Sequence, residues 1–188
     1  MSTLKVDGIR SNGDTSGNDA ITLADNGTCT ANITNNLSNR NLIINGDMKI
    51  AQRGTSFTAS GSYPVDRFRP QWGGADENPT VAQVDVASGT TPYTLGFRKA
   101  IKITNGDQSG GAGTGDYLFI RYKVEAQDLA QSGWNYTSAS SFITLSFWVK
   151  SSVPQSFECR LETQDGTKKN YPFETGSLSQ DTWTKVTK

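Results

Sequence analysis

The stretch Asn41–Gly54, NLIINGDMKIAQRG, is where the chain changes from polar sequence to sequence that can build a core. Its apolar run Leu42–Ile44, ended by Asn45–Asp47, is typical of a strand that is buried on both faces. Residues 1–40 are polar, rich in glycine and asparagine, and hold few large apolar side chains. We therefore predict an extended segment over 1–40 and a folded domain over 41–188.

Apolar and polar side chains alternate repeatedly along the predicted domain. Five segments show this pattern: Thr80–Val86, Phe97–Ile103, Tyr117–Val124, Phe142–Lys150 and Ser156–Glu162. A period of two is that of a strand with one face turned to a core, and in the last segment Phe157, Cys159 and Leu161 are predicted to face inward. Asp165–Gly166 indicates a hairpin turn. Since no segment carries a convincing helical stripe, we predict an all-β fold, a sandwich of antiparallel strands.

The polar segment over 1–40 has too few apolar residues to offset the entropy of ordering it alone. The residues that we assign to anchoring and trimerisation are Leu4, Val6, Ile9, Ile21, Leu23 and Ile33. Composition favours disorder over Ser11–Asp19, but Ala20–Thr34 alternates around a turn signal at Asp25–Gly27 and predicts a thin hairpin. Because a lone hairpin is marginal in water, we favour a homotrimer, three copies packed around an axis, over disorder.

Composition and charge exclude several classes of function. The chain has 18 Lys plus Arg and 18 Asp plus Glu, so its net charge is zero and no basic patch indicates nucleic acid or an anionic membrane. Histidine is absent, which removes the commonest general base and zinc ligand. Cys29 and Cys159 match no metal motif and are predicted to be free thiols. With no membrane-length apolar run and no signal-peptide pattern, we expect a soluble protein made in a cytoplasm.

Several motifs resemble proteins of bacteriophage tails. Ala20–Thr34 resembles repeats in the trimeric shafts of tail fibres, and the opening Met1–Ile9, MSTLKVDGI, looks like the start of structural proteins of marine phages. A recurring module of tail-fibre proteins is resembled by NLIINGD at 41–47, AQRGTS at 51–56, YPVDRF at 63–68, RYKVE at 121–125, TLSFWVKS at 144–151 and DTWTKV at 181–186. That module is similar to the jelly-roll carbohydrate-binding modules of polysaccharide-degrading enzymes.

The resemblance implies a virion structural protein, the tail fibre of a marine phage, assembled in the host cytoplasm. Residues 1–40 would anchor to an adaptor or nozzle protein of the tail and trimerise, and a jelly roll over 41–188 would begin the host-recognition arm. The alternative is a non-catalytic carbohydrate-binding module for host surface glycans. The alternating pattern stops inside a strand at Lys188. We therefore expect a longer native polypeptide, or completion of the fold by another chain.

The resemblance also implies a structural calcium ion near Asn45–Asp47, where carbohydrate-binding jelly rolls often hold one. Calcium takes several oxygen ligands, of which the Asn45 and Asp47 side chains would supply two. The alternative is a turn in which Gly46 adopts a positive φ and Asp47 caps backbone amides. No other cofactor is expected.

Aromatic side chains are the usual platforms for sugar rings. The candidates are Trp72, Trp134, Tyr136 and Trp148. Trp72 precedes two glycines and is expected near a loop, while Trp148 lies on the polar face of its strand. Each ring has a second interpretation, as part of the fold or of a contact between protomers.

Charged residues give no convincing catalytic arrangement. Asp66 and Arg67 are predicted to form a structural charge pair or a strand-end cap, and Arg53 and Arg69 are expected to pair with nearby carboxylates. Glu125 could be paired with another carboxylate, as glycoside hydrolysis requires, but eighteen acidic residues make such a choice arbitrary. No nucleophile elbow or phosphate-binding loop is present. We therefore predict that the chain is not an enzyme, and a glycan depolymerase is disfavoured.

Overall fold

The structure is a computed structural model of the chain, and it describes residues 8–9, 21–31, 41–135, 137–164 and 166–188. Within these residues the chain is mainly β-strand, the named strands pair antiparallel, and the helices are short. The prediction of an all-β fold is confirmed. Antiparallel sheets are consistent with a sandwich, and jelly-roll connectivity stays a prediction. No helix of the described residues is long and apolar enough to cross a membrane.

The elements are short and follow the chain in this order. The strands are β1 (Gly8–Ile9), β2 (Ile21–Leu23), β3 (Cys29–Ala31), β4 (Ser56–Phe57), β5 (Phe68–Gly73), β6 (Thr80–Asp85), β7 (Lys99–Thr104), β8 (Tyr117–Tyr122), β9 (Ser146–Val149), β10 (Glu158–Glu162), β11 (Asn170–Glu174) and β12 (Thr184–Thr187). The helices are α1 (Thr91–Thr94) and α2 (Ala126–Gln131).

The chain divides into two units. One comprises residues 1–42 and 126–134, and the other comprises residues 43–125 and 135–188. The division after residue 42 lies close to the predicted boundary at residue 40. The grouping of α2 with the first unit was not predicted from the sequence, which placed this segment in the domain.

The first unit contains the predicted hairpin. Strand β2 pairs with β3, and β1 adds a third antiparallel strand on the other side of β2. The turn is closed by a hydrogen bond from the Gly27 amide to the Ala24 carbonyl, and Gly27 has a φ of 83°, a conformation that glycine adopts without strain. The hairpin is therefore confirmed. Trimerisation stays a prediction, and Leu4, Val6, Ile33 and Ser11–Asp19 lie outside the described residues.

The second unit contains four small sheets, with orders β4-β6-β7, β5-β8, β12-β9 and β10-β11. Its buried apolar side chains are Val65, Phe68, Trp72, Val81, Val86, Leu178 and Val186. Phe68, Pro70 and Trp72 are spaced two residues apart on β5, so they share one face, and all three are buried. This face of β5 forms much of the core.

Two sequence predictions about the interior are wrong. Leu42–Ile44 forms no strand, and Ile44 is 47% exposed. The backbone turns here because Asn45 has a φ of 58°, in the left-handed region that interrupts an extended chain. Phe157, which precedes β10, and Leu161 on β10 are predicted to face inward, but both are exposed, since β10 and β11 pair only with each other within the described part of the chain.

Candidate functional site

Hydrogen bonds from the Asn45 side chain connect the loop after residue 44 to the turn that precedes β5. Its side-chain amide donates to the carbonyl oxygens of Ile50 and Asp66, at 2.9 and 3.0 Å, and its side-chain oxygen accepts from the Ile50 amide at 3.0 Å. The same loop is joined to β6 by Gln83, whose side-chain amide donates to the Met48 carbonyl at 2.6 Å. The motif therefore closes a loop through side-chain to backbone hydrogen bonds.

These contacts suit a turn better than the calcium site that the resemblance implies, but the residues with a positive φ there are Asn45 and Met48, not Gly46 as predicted. The Asn45 oxygen already accepts a hydrogen bond, and the Asp47 carboxylate pairs with Lys49 at 2.9 Å. Lys49 lowers the pKa of Asp47 through this hydrogen bond. The described residues include no group of three or more Asp, Glu, Cys or His that could hold a metal ion. Since calcium takes six to eight oxygens, the two side chains do not fit an ion without further ligands.

We therefore expect calcium to have little effect on stability. Thermal unfolding with EDTA and with millimolar calcium should give melting temperatures within about 1 °C of each other, since a ligand that does not bind the native state cannot stabilise it. Magnesium at the same concentration controls for ionic strength. A rise of several degrees with calcium but not magnesium would restore the calcium prediction.

The four aromatic candidates lie in different surroundings. Trp72 is 6% exposed, and its indole nitrogen donates to the side-chain oxygen of Asn78 at 3.0 Å, so it belongs to the core and offers no sugar platform. Trp148 lies on β9 opposite Lys185 and is half-buried. Trp134 is half-buried in the first unit, where its backbone amide donates to Ser132. Tyr136 lies outside the described residues.

The two cysteines are free, as predicted. Cys29 is exposed and Cys159 is half-buried. Burial raises the pKa of the Cys159 thiol, and the neighbouring Glu158 adds to this shift. A raised pKa lowers the thiolate fraction at neutral pH. Cys159 therefore behaves as a small apolar side chain.

A cleft of about 240 Å³ lies in the second unit, lined by Arg53, Tyr63, Asp66 and Arg67. The Arg53 guanidinium carbon lies 4.6 Å from the centre of the Tyr63 ring, within the range of a cation–π contact. One oxygen of Asp66 accepts from the Gln52 amide at 3.2 Å. The cleft thus combines guanidinium donors, a carboxylate acceptor and an aromatic ring.

The turn before β5 places two of these side chains. The Phe68 amide donates to the Val65 carbonyl at 3.2 Å, which closes a tight turn with Asp66 and Arg67 at its centre. Arg67 has a φ of 76°, where glycine or asparagine is usual and a long side chain is strained. Its guanidinium pairs with Glu125 at 2.6 Å. Backbone strain of this kind clusters at functional sites.

The ion pairing differs from what the sequence indicated. Asp66 and Arg67 form no charge pair with each other, since Asp66 accepts from a backbone amide as a cap does and Arg67 pairs with Glu125. This pairing raises the pKa of Arg67, and it occupies the carboxylate that had been considered as a general acid. Arg69 donates to the Gly61 carbonyl rather than to a carboxylate.

Sequence reasoning missed Tyr63 as a member of the site. Tyr63 and Arg53 are ten residues apart and meet because the segments on either side of β4 return to the same place. The available signal was that AQRG and YPVDR both lie in turn-like sequence between predicted strands. Comparison of the chain with protein-family models, with curated proteins and with solved structures found no match, so its own residues and geometry carry the functional argument.

Proposed function

We propose that this chain is a structural subunit of an oligomeric assembly, a bacteriophage tail fibre. In this proposal residues 1–40 anchor the fibre to an adaptor or nozzle protein of the tail and form a homotrimer. The remaining residues begin the arm that recognises the host. The motifs resembling tail-fibre proteins support this setting, and the all-β architecture suits it.

One observation carries the proposal: both units leave apolar side chains of their strands uncovered. Leu23 on β2 is 40% exposed, and Leu118 and Ile120 on β8 are 42% and 41% exposed. Leu118 and Ile120 lie opposite Trp72 and Pro70 in the strand pairing and share their face of the sheet. The apolar side chains of this face are therefore buried on β5 and exposed on β8. Exposed apolar surface of this kind is typical of sites that bind another protein.

The thin sheet of the first unit supports the trimer in particular. Its strands have two or three residues each, and a sheet this small has little stability in water by itself. Covering the Leu23 side chains of three copies around an axis would remove apolar surface from water in each copy. A closed symmetric ring is the usual way in which identical chains meet.

The oligomeric state tests this proposal. Light scattering of the full chain during gel filtration should give three times the 20.3 kDa chain mass. We expect Leu23→Lys to convert the trimer to monomer, because three lysines would meet where apolar side chains pack. Thr22→Lys is the matched control, since Thr22 lies on the opposite face of the same strand. A wild-type monomer at tens of micromolar would contradict the trimer.

Recognition of surface glycans is the second candidate, and the cleft at Arg53, Tyr63, Asp66 and Arg67 favours it. A sugar-binding site needs a few convergent polar groups beside a ring, and this cleft provides them within one unit. We assign no catalytic role to the cleft. A fibre subunit with a glycan site would combine both candidates.

A further inference from the structure

The cleft has hydrogen-bond donors and acceptors that the described residues leave unused. Arg53 contacts the Tyr63 ring but forms no hydrogen bond or ion pair with the described residues. A guanidinium carries five N–H donors in a planar fork, and the described residues accept from none of those of Arg53. Asp66 accepts from Gln52 through one oxygen, and its second oxygen has no donor among the described residues.

The groups that line the cleft are held in place before any ligand arrives. The Asp66 amide donates to the Ile50 carbonyl at 2.9 Å, and the Asp66 carbonyl accepts from Asn45 at 3.0 Å. Together with the bond from Gln52, these contacts fix both the backbone and the side chain of Asp66. The Tyr63 ring restricts Arg53 in a similar way. Groups that are already ordered lose less entropy when they bind.

The charges decide which ligand this arrangement suits. Arg67 is paired with Glu125, so Arg53 is the cation of the cleft that has no carboxylate partner within the part of the chain that the structure describes. An isolated phosphate would face Arg53 but would also meet the Asp66 carboxylate, which repels it. A neutral sugar would satisfy Asp66 through its hydroxyls and leave the Arg53 charge unmatched. A sugar with its own carboxylate offers a partner to each group: its carboxylate forms paired hydrogen bonds with the guanidinium, while a hydroxyl elsewhere on the ring donates to Asp66 and keeps the two carboxylates apart.

We propose that the cleft binds one sugar unit that carries a carboxylate, a hexuronic acid residue of an acidic glycan. Arg53 binds the ligand carboxylate, and the free Asp66 oxygen accepts from a ring hydroxyl. The volume of about 240 Å³ lies below the range typical of larger, drug-sized ligands, which suits a single ring. This inference rests on glycan recognition, the second candidate function, and names the class of sugar.

The test uses the full chain labelled with ¹⁵N and titrated by NMR with the methyl glycosides of glucuronic acid and glucose, and with inorganic phosphate. We expect the glucuronide to shift the amides of Gln52 and Asp66 with a millimolar dissociation constant, and the glucoside to bind at least tenfold more weakly. Arg53→Gln should weaken glucuronide binding at least tenfold. Arg98→Gln is the matched control, because Arg98 also stacks on a tyrosine, Tyr93, at 3.9 Å, and it should bind as wild type does.

Each other outcome overturns a defined part of the inference. Equal shifts with both glycosides would leave glycan recognition standing and remove the carboxylate assignment. Shifts with phosphate but neither glycoside would make the cleft an anion site. If no probe shifts any amide, the cleft is not a sugar site. The tail-fibre proposal is tested separately, by light scattering. If Arg53→Gln does not fold, Asp66→Asn perturbs the same cleft, retains the side-chain oxygen that accepts from Gln52, and should weaken binding by a similar factor.

Discussion

Replacement of Trp72 by alanine should cost more stability than any other single change to an aromatic residue of this chain. The ring is 6% exposed on the buried face of β5, and removal of a buried aromatic side chain typically costs about 3–5 kcal/mol. Because 1 kcal/mol corresponds to roughly 2–4 °C for chains of this size, the melting temperature should fall by about 10 °C or be lost altogether. Thermal unfolding followed by circular dichroism measures this effect.

Two further substitutions separate packing from the hydrogen bond to Asn78. Trp72→Phe keeps most of the ring but removes the donor and leaves the Asn78 side-chain oxygen without it, so a loss of about 1–2 kcal/mol is expected. Trp148→Ala is the matched control for ring deletion, since Trp148 is only half-buried, and it should cost clearly less than Trp72→Ala. Equal losses for the two tryptophans would contradict the assignment of Trp72 to the core.

Strands with a clear two-residue period were predictable, and β5 was not. Segments such as β6 and β7 alternate visibly and sit close to their predicted bounds. In β5 the proline at position 70 argues against a strand, because it cannot donate to a ladder. The structure accommodates Pro70 because β5 pairs on one side only, with β8, among the described strands. The sequence does not show which edge of a strand is unpaired, and for that reason it predicts Trp72 near a loop rather than on a buried strand.

The prediction of a buried strand at Leu42–Ile44 was wrong for a different reason. Leu42–Ile44 has the composition of a strand, but the conformation is set by Asn45, whose side chain bonds to Ile50 and to Asp66, which lies twenty-one residues away. A local pattern does not reveal a partner at that distance. The candidate cleft was equally hidden, since the contact between Arg53 and Tyr63 depends on the path of the chain between them. The sequence shows that both segments are polar turns, but it does not show that they contact each other in the fold.

Asn45 should prove to be the most sensitive polar residue of the second unit. Its three hydrogen bonds to the backbone are each worth about 1 kcal/mol, and their loss leaves backbone groups unsatisfied. Alanine at this position must also adopt a φ of 58°, which adds about 1 kcal/mol of strain. We expect Asn45→Ala to lower the free energy of unfolding by about 3–4 kcal/mol, measured by urea denaturation.

Asn45→Gly separates the two causes, because glycine accepts the left-handed conformation without strain but supplies no side chain. It should lose about 2–3 kcal/mol, less than alanine by the strain alone. Asn45→Asp keeps an acceptor for the Ile50 amide but turns a carboxylate towards the carbonyl oxygens of Ile50 and Asp66, and should be at least as damaging as alanine. If glycine were as stable as wild type, the side-chain bonds would contribute nothing. Asp66 is held through the same contacts, so the order of these variants in stability should also be their order in the integrity of the cleft.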